Sequence, residues 1–217
     1  MMKLGAIFDM DGLMFDTEKM YQDTWNELAS EKGLTLSDQF AKEISGTSGE
    51  LLNDVIRRHL QTDDPHSLYL DCIQRVAEKL SVHVPIKPGL IELLTWFQEN
   101  DVKLAVASSS TIEIIRSNLK VSGTESYFDK VISGSNLEHG KPDPEIFLYA
   151  AEQLKLRPED CYVFEDSING VHAGLSAGCE TVMVPDYTQP DESILRSRAH
   201  ICSSLKEALS EIQNGCY

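Results

Sequence analysis

Four stretches of the chain hold residues with chemistry to offer: Asp9-Met10-Asp11-Gly12, Ser108-Ser109-Ser110-Thr111, Gly140-Lys141-Pro142-Asp143-Pro144 and Glu165-Asp166-Ser167. Gathered in one place, Asp9, Asp11, Glu165 and Asp166 crowd several negative charges together. Such crowding is tolerable where a cation sits among them, and an oxygen-only donor set selects a hard ion such as Mg2+. Asp9 and Asp11 are two apart, so at a strand end their side chains can point to the same side. Two carboxylates whose surroundings push their pKa values apart also suit a nucleophile paired with an acid/base. Ser108, with the backbone N–H groups that open the following helix, makes an anion cradle. Lys141 adds a point charge for a phosphate and keeps an attacking carboxylate from repelling it.

Taken singly, each stretch has a plainer reading. A pair of aspartates often marks a solvated turn. A Ser-Ser-Ser-Thr run is an ordinary helix N-cap, supplied here by Ser110 or Thr111. Lys-Pro-Asp-Pro is a helix start with proline at its first positions. The order of the four is what sets the plain readings aside, because open parallel sheets bind ligands at the carboxyl ends of their strands. Short, apolar, β-branched runs at residues 4–8, 102–107, 130–133, 161–164 and 180–184, and more weakly 199–202, read as strands. The four stretches follow the first four of them. Between the runs lie helix-length segments with 3.6-residue apolar spacing, at 90–98, 111–119, 144–154, 168–177 and 205–212. This alternation predicts an α/β fold, a Rossmann-like doubly wound parallel sheet covered by helices on both faces.

Residues 18–84 break the alternation. They carry amphipathic helical patterns at 20–32, 37–44, 50–59 and 67–80 and no convincing strand. A segment of that length is too long for a loop in a compact domain. It reads as a helical cap domain inserted after the first strand, over residues 16–84, which returns near Pro85, Pro88 and Gly89 to a core domain of residues 1–15 and 85–217.

The composition narrows the possible partners. Against 19 Lys and Arg stand 35 Asp and Glu, a net charge of −16 over 217 residues. Nucleic-acid binding depends on neutralising phosphates with Lys and Arg, so no nucleic acid is expected as a partner. An anionic membrane surface repels such a chain for the same reason, and no apolar run approaches the roughly 20 residues a membrane helix needs. The N-terminal run meets Asp9 before a signal-peptide core could form, so a cytoplasmic protein is expected. The five cysteines, at 72, 161, 179, 202 and 216, are widely spaced with no CxxC pair, which indicates neither a disulfide framework nor a zinc knuckle. No Ser or Cys nucleophile motif accompanies His172.

With these residues in view, the chain resembles the haloacid dehalogenase superfamily, in its phosphatase and β-phosphoglucomutase-like branch. Phe8-Asp9-Met10-Asp11-Gly12-Leu13-Met14-Phe15-Asp16-Thr17-Glu18 matches the first family motif, Ala107-Ser108-Ser109-Ser110 the second, Lys141 in Gly140-Lys141-Pro142 the third, and Phe164-Glu165-Asp166-Ser167 the fourth. The resemblance implies that Asp9 is the nucleophile, forming an aspartyl-phosphate, and that Asp11 is the general acid and then the base. It implies that Mg2+ is held by Asp9, Asp166, the Asp11 main-chain carbonyl and Glu165, the last directly or through water. Ser108, the Ser109 amide and Lys141 would hold the transferring phosphoryl group. Halide-removing members lack the second aspartate, which this chain has.

The expected activity is hydrolysis of a small phosphorylated metabolite, a sugar phosphate first, by a monomeric enzyme. The alternatives are a phosphosugar mutase and a non-catalytic binding protein that kept the fold. The mutase branch has a histidine soon after the first motif and an arginine in the first cap loop, where this sequence has Tyr21 and Gly49. Arg75 or Lys79 is the other source of charge in the cap. Tyr21, Trp25, Gly46 and Gly49 are the candidate specificity face, although Tyr21 and Trp25 lie four apart on one helix face and equally suit the cap's own core.

Overall fold

The structure is a computed structural model that describes residues 2–44, 47 and 49–217. Six parallel strands form one sheet in the order β3-β2-β1-β4-β5-β6. They are β1 (Gly5–Phe8), β2 (Lys103–Ser108), β3 (Lys130–Ser133), β4 (Cys161–Glu165), β5 (Glu180–Met183) and β6 (His200–Ile201). Every residue of β1 and β4 is buried, as befits central strands covered on both faces. The weak sixth run narrows to two residues, pairing only Val182 with His200 and Met183 with Ile201.

The chain divides into two compact units, residues 1–16 with 84–217, and Thr17–His83. In the first unit the helices are α5 (Leu90–Glu99), α6 (Ile112–Ser122), α7 (Glu145–Leu154), α8 (Ile168–Ala177), the short α9 (Glu192–Leu195) and α10 (Leu205–Gln213). The second holds α1 (Thr17–Glu31), α2 (Asp38–Ile44), α3 (Gly49–Leu60) and α4 (Pro65–Val82), with no strand among its described residues.

Side-chain alternation along the strands divides the first unit's core between the sheet's two faces. Ile7, Ala105 and Val163 pack with Phe147, Ala150 and Ala151 of α7 and Ala173 of α8. On the other face Phe8 stacks on Phe164 with ring centroids 4.7 Å apart. Phe97 of α5 meets Phe8 edge-on at 6.2 Å and lies 5.9 Å from Phe164. The residues directly before Asp9 and Glu165 are thus locked by aromatic packing.

The helical unit has its own core. Trp25, Leu28, Phe40, Val55, Ile56, Leu60, Cys72 and Val76 close around one another. α4 starts where it does because Pro65 occupies its first turn and the Asp64 side chain accepts the Ser67 N–H at 3.0 Å.

Within the first unit, the segments that flank the helical insertion are tied as a two-stranded ribbon. Asp16 N donates to Pro85 O at 2.9 Å, and Lys87 N donates to Met14 O at 2.9 Å. Lys87 Nζ adds ion pairs to Asp186 at 2.7 Å and Asp16 at 3.3 Å.

Phe97→Ala should destabilise the protein by about 3–5 kcal/mol, the usual cost of emptying a buried aromatic site. Ile114→Ala, on a side chain 48% exposed on α6, should change stability by less than about 1 kcal/mol. Denaturant midpoints of the two variants check the contrast; equal shifts would mean the aromatic face does not carry the sheet.

Candidate active site

Strand order reverses between β1 and β4, and the two strands end side by side, with Phe8 in register with Phe164. Such a switch point is where an open α/β sheet leaves a crevice at its carboxyl edge. Asp9 leaves β1 here, with its N–H donating to Phe164 O at 3.0 Å. Glu165 closes β4, and Asp166 follows it. Carboxylate oxygens of Asp9, Glu165 and Asp166 lie within 4.8 Å of one another.

Two glycines make that approach possible. Gly12 has φ +85°, and a Cβ there would stand 2.3 Å from Asp166 Oδ2. At Gly170 a Cβ would stand 1.7 Å from Glu165 Oε1. Ser167 is the N-cap of α8: its hydroxyl accepts the Gly170 N–H at 3.1 Å and donates to Glu165 Oε2 at 2.9 Å. Glu165 Oε2 also accepts the N–H groups of Asp166 and Ser167, each at 2.9 Å. Glu165 is therefore 1% exposed and folded back onto the helix start, held as much by its own loop as by anything it could ligate.

Lys141 reaches this cluster from the loop before α7. Its Nζ donates to Asp9 Oδ1 at 2.5 Å, Glu165 Oε1 at 2.7 Å and Ala107 O at 3.4 Å, and lies 5.0 Å from the centre of the Phe147 ring. Burial alone would lower the lysine's pKa, but Asp9 and Glu165 outweigh it and hold the ammonium above its ordinary value.

The acids bear the strain of crowding. Burial pushes the Asp9 carboxyl up to about 7 despite Lys141, with Glu165 and Asp11 adding to the rise. Burial, then Asp9 and Glu165, push Asp166 up to about 9. Buried oxygens that resist ionisation together are what a hard divalent cation relieves, and the donor set fits one.

Asp11, whose charge adds to the rise at Asp9, turns its side chain toward the end of β2. Its Oδ2 accepts the Ser110 hydroxyl at 3.0 Å and lies 3.5 Å from Ser108 Oγ. Ser108, 2% exposed at the end of β2, is next to the Ala107 carbonyl that Lys141 touches. Ser109 is exposed at the same strand end. The structure thus brings Asp9, Asp11, Ser108, Lys141, Glu165 and Asp166 to one edge of the sheet. Thr111 is the N-cap residue of α6 but makes no side-chain capping bond, so neither serine nor threonine here acts as the simple cap that the run suggests.

In the helical unit, Trp25 is 3% exposed and edge-on to Phe40 at 5.7 Å, a core residue first. With Tyr21, Tyr69, Leu52, Glu18 and others it also lines a cavity of about 170 Å³. Gly49 opens α3 with φ +61° and open space around it, and Gly46 lies outside the described residues. Arg75 pairs with Asp71 and Glu31, and Lys79 pairs with Glu27 at 2.7 Å and Thr24 at 2.9 Å. Both cations are held by neighbours within their own unit.

Sequence reasoning names Ser167 within its motif and Ser110 as a candidate cap without giving either a part in the site, and it passes over Gly170. Ser167 and Gly170 had a signal: a serine directly before a helix start is a preferred N-cap whose hydroxyl accepts the N–H three residues on, here that of a glycine. Among the cysteines, only Cys216 is exposed.

Fold and edge together define a Rossmann-like α/β protein with an acidic, lysine-buttressed centre at the switch point of its sheet. The profile of haloacid dehalogenase-like hydrolases matches residues 6–184. The chain belongs to that family. It is 32% identical to a phosphorylated carbohydrates phosphatase of Thermotoga maritima over 82% of each protein. It is 31% identical to a fructose-1-phosphate phosphatase of Escherichia coli, over 83% of this chain and 95% of that one. Among solved structures it superposes, with a TM-score of 0.83 and 25% identity, on a family hydrolase from Deinococcus radiodurans holding phosphate and sodium, over 99% of this chain and 96% of that chain. The relatives mark it as an enzyme of the phosphoric monoester hydrolase class. No helix among the described residues is long and apolar enough to cross a membrane.

The raised acids set a pH-dependent expectation. An aspartate ordinarily ionises near 3.8, so up to about 7 for Asp9 and about 9 for Asp166 the folded state holds protons the unfolded chain has lost. Stability from these groups is therefore full at low pH and lost as pH rises through those windows. A divalent cation binds the ionised form. Added Mg2+ should raise the thermal midpoint more at pH 8 than at pH 5, and Asp166→Asn should shrink the gain. Equal gains at both pH values would mean that the cation binds elsewhere.

Proposed function

We propose that the protein is a cytoplasmic, Mg2+-dependent phosphatase that hydrolyses a small phosphorylated metabolite, a sugar phosphate first, through an aspartyl-phosphate on Asp9. The observation that carries the reading is the carboxylate triad at the switch point, two of its members buried and Asp166 partly so. Asp9 and Glu165 share the Lys141 ammonium, at 2.5 and 2.7 Å, and Asp166 lies alongside. Asp9 and Asp166, with the Asp11 main-chain carbonyl and Glu165 directly or through water, are the residues that would hold Mg2+. When bound, the ion neutralises negative charge on the phosphoryl group and its surroundings.

The chain's own residues do the rest. A carboxylate of Asp9 attacks phosphorus opposite the ester oxygen, so the O–P bond to Asp9 forms as the ester P–O bond breaks. Asp11 gives its proton to the departing oxygen, then takes one from the water that opens the acyl phosphate. Lys141, Ser108 and the Ser109 amide bind the transferring oxygens, and positioning with charge stabilisation is most of what phosphoryl transfer asks of a protein. We read the helical unit as the cap that selects the substrate, with Tyr21 and Trp25 among its reading residues. Among the described residues its cavity presents aromatic and apolar walls with Glu18, Gln22 and Thr47 and no cation. That lining suits an uncharged leaving group better than a second phosphate, and favours hydrolysis over mutase chemistry.

Phosphate release should be followed with Mg2+ on fructose 1-phosphate, β-glucose 1-phosphate and a nucleoside monophosphate. Asp9→Asn should abolish release while leaving the fold intact, and chelation should silence the wild-type enzyme reversibly. Turnover surviving Asp9→Asn would end the nucleophile assignment. Glucose 6-phosphate formed from β-glucose 1-phosphate only with added glucose 1,6-bisphosphate would make the protein a mutase. Intact protein that turns over no ester would favour a binding role.

A further inference from the structure

Ser110 stands in none of the family roles assigned above, yet its hydroxyl is aimed at one of them. Its Oγ donates to Asp11 Oδ2 at 3.0 Å. The backbone of Ser110 is tied on both sides. Its N–H donates to Ser108 Oγ at 3.1 Å, and its carbonyl accepts the Ser133 hydroxyl at 2.6 Å. Ser133 ends β3 and lies 2.8 Å from Ser135 Oγ, so the tie runs back into the sheet. Helix capping does not explain the Ser110 hydroxyl, because the N-cap position of α6 belongs to Thr111.

We propose that Ser110 is a positioning residue for Asp11, fixing one carboxylate oxygen so that the other carries the transferable proton. The proposal rests on the reading of Asp11 as the acid that protonates the leaving oxygen. In that step the ester P–O bond breaks, the bond to Asp9 forms, and the proton passes from Asp11 to the ester oxygen. Asp11 is left ionised. A hydroxyl that donates to Oδ2 makes a stronger hydrogen bond to the carboxylate than to the acid, so it steadies the product of proton transfer as well as the geometry.

The test compares kcat/KM, which reports events up to transfer onto Asp9, for two esters. One is the sugar phosphate hydrolysed fastest in the panel above, whose alkoxide needs the proton. The other is 4-nitrophenyl phosphate, whose phenolate leaves without it. Asp11→Asn should depress the sugar ester by roughly 10²–10⁴-fold and the nitrophenyl ester by much less. Ser110→Ala should show the same selectivity at about tenfold, the scale of one lost charge-assisted hydrogen bond, and Ser110→Thr should restore most of it. A Ser110→Ala loss equal on both esters would make the serine part of the phosphate grip or of loop stability, and no loss would make it incidental; either overturns the proposal. If Asp11→Asn itself falls equally on both esters, the reading of Asp11 fails first, and that failure is seen independently of Ser110.

Discussion

The constraint on which this structure turns is the confinement of like charges. Three carboxylates, from Asp9, Glu165 and Asp166, meet within 4.8 Å, and one ammonium, Lys141, lies against two of them. Nothing in water would hold such a group together; burial first, and then the neighbouring carboxylates, push Asp9 and Asp166 above the ordinary aspartate range. The surrounding backbone answers in three ways. Asp166 and Ser167, which lead into α8, donate their amides to Glu165, Gly12 and Gly170 clear the space the carboxylates occupy, and Lys141 neutralises what remains between Asp9 and Glu165. Even so, Asp9 and Asp166 stay hard to ionise together, and that residual strain is the structural argument for a cation.

Confinement of this sort requires a rigid frame, which explains where the aromatic residues lie. Phe8 and Phe164 stack directly before Asp9 and Glu165, with Phe97 wedged against both. Parallel pairing then fixes the two strand ends at the same level. A site spread over loops alone would let the carboxylates drift apart, and drifting apart is what their repulsion favours. Two-residue β6 lies at the sheet edge, three strands from β1 and away from this frame.

Much of this was legible in the sequence because the sheet is buried. Parallel strands covered on both faces leave continuous apolar runs, and a carboxylate at the end of such a run is conspicuous. The same logic exposed the helical insertion, since amphipathic spacing replaced those runs. Less legible was anything decided by the space around a side chain. Nothing in the residue type of Gly170 says that Glu165 folds into the room it leaves. The Ser-Ser-Ser-Thr run reads as a cap until the backbone shows one hydroxyl turned to Asp11. Trp25 had two readings on one helix face, and burial against Phe40 gives it a core role that periodicity could not separate from a lining one.

Charge placement in the helical unit bears on the choice between hydrolysis and mutase chemistry. A mutase has to grip a second phosphate while the intermediate turns round, which calls for cations that can leave their protein partners. Arg75 is bonded by Asp71 and Glu31 through several guanidinium nitrogens, and Lys79 sits between Glu27 and Thr24. Drawing either toward a ligand breaks pairs that the helices already satisfy, and the excess of acid over base in the chain supplies ready competitors. None of the described residues that line the cavity beside Tyr21, Trp25 and Tyr69 carries a positive charge to compensate for the loss. On the proposed reading of the helical unit as the cap, a monoester whose other end is neutral avoids that conflict, so the arrangement of charge, and not the fold, argues for water as the final acceptor.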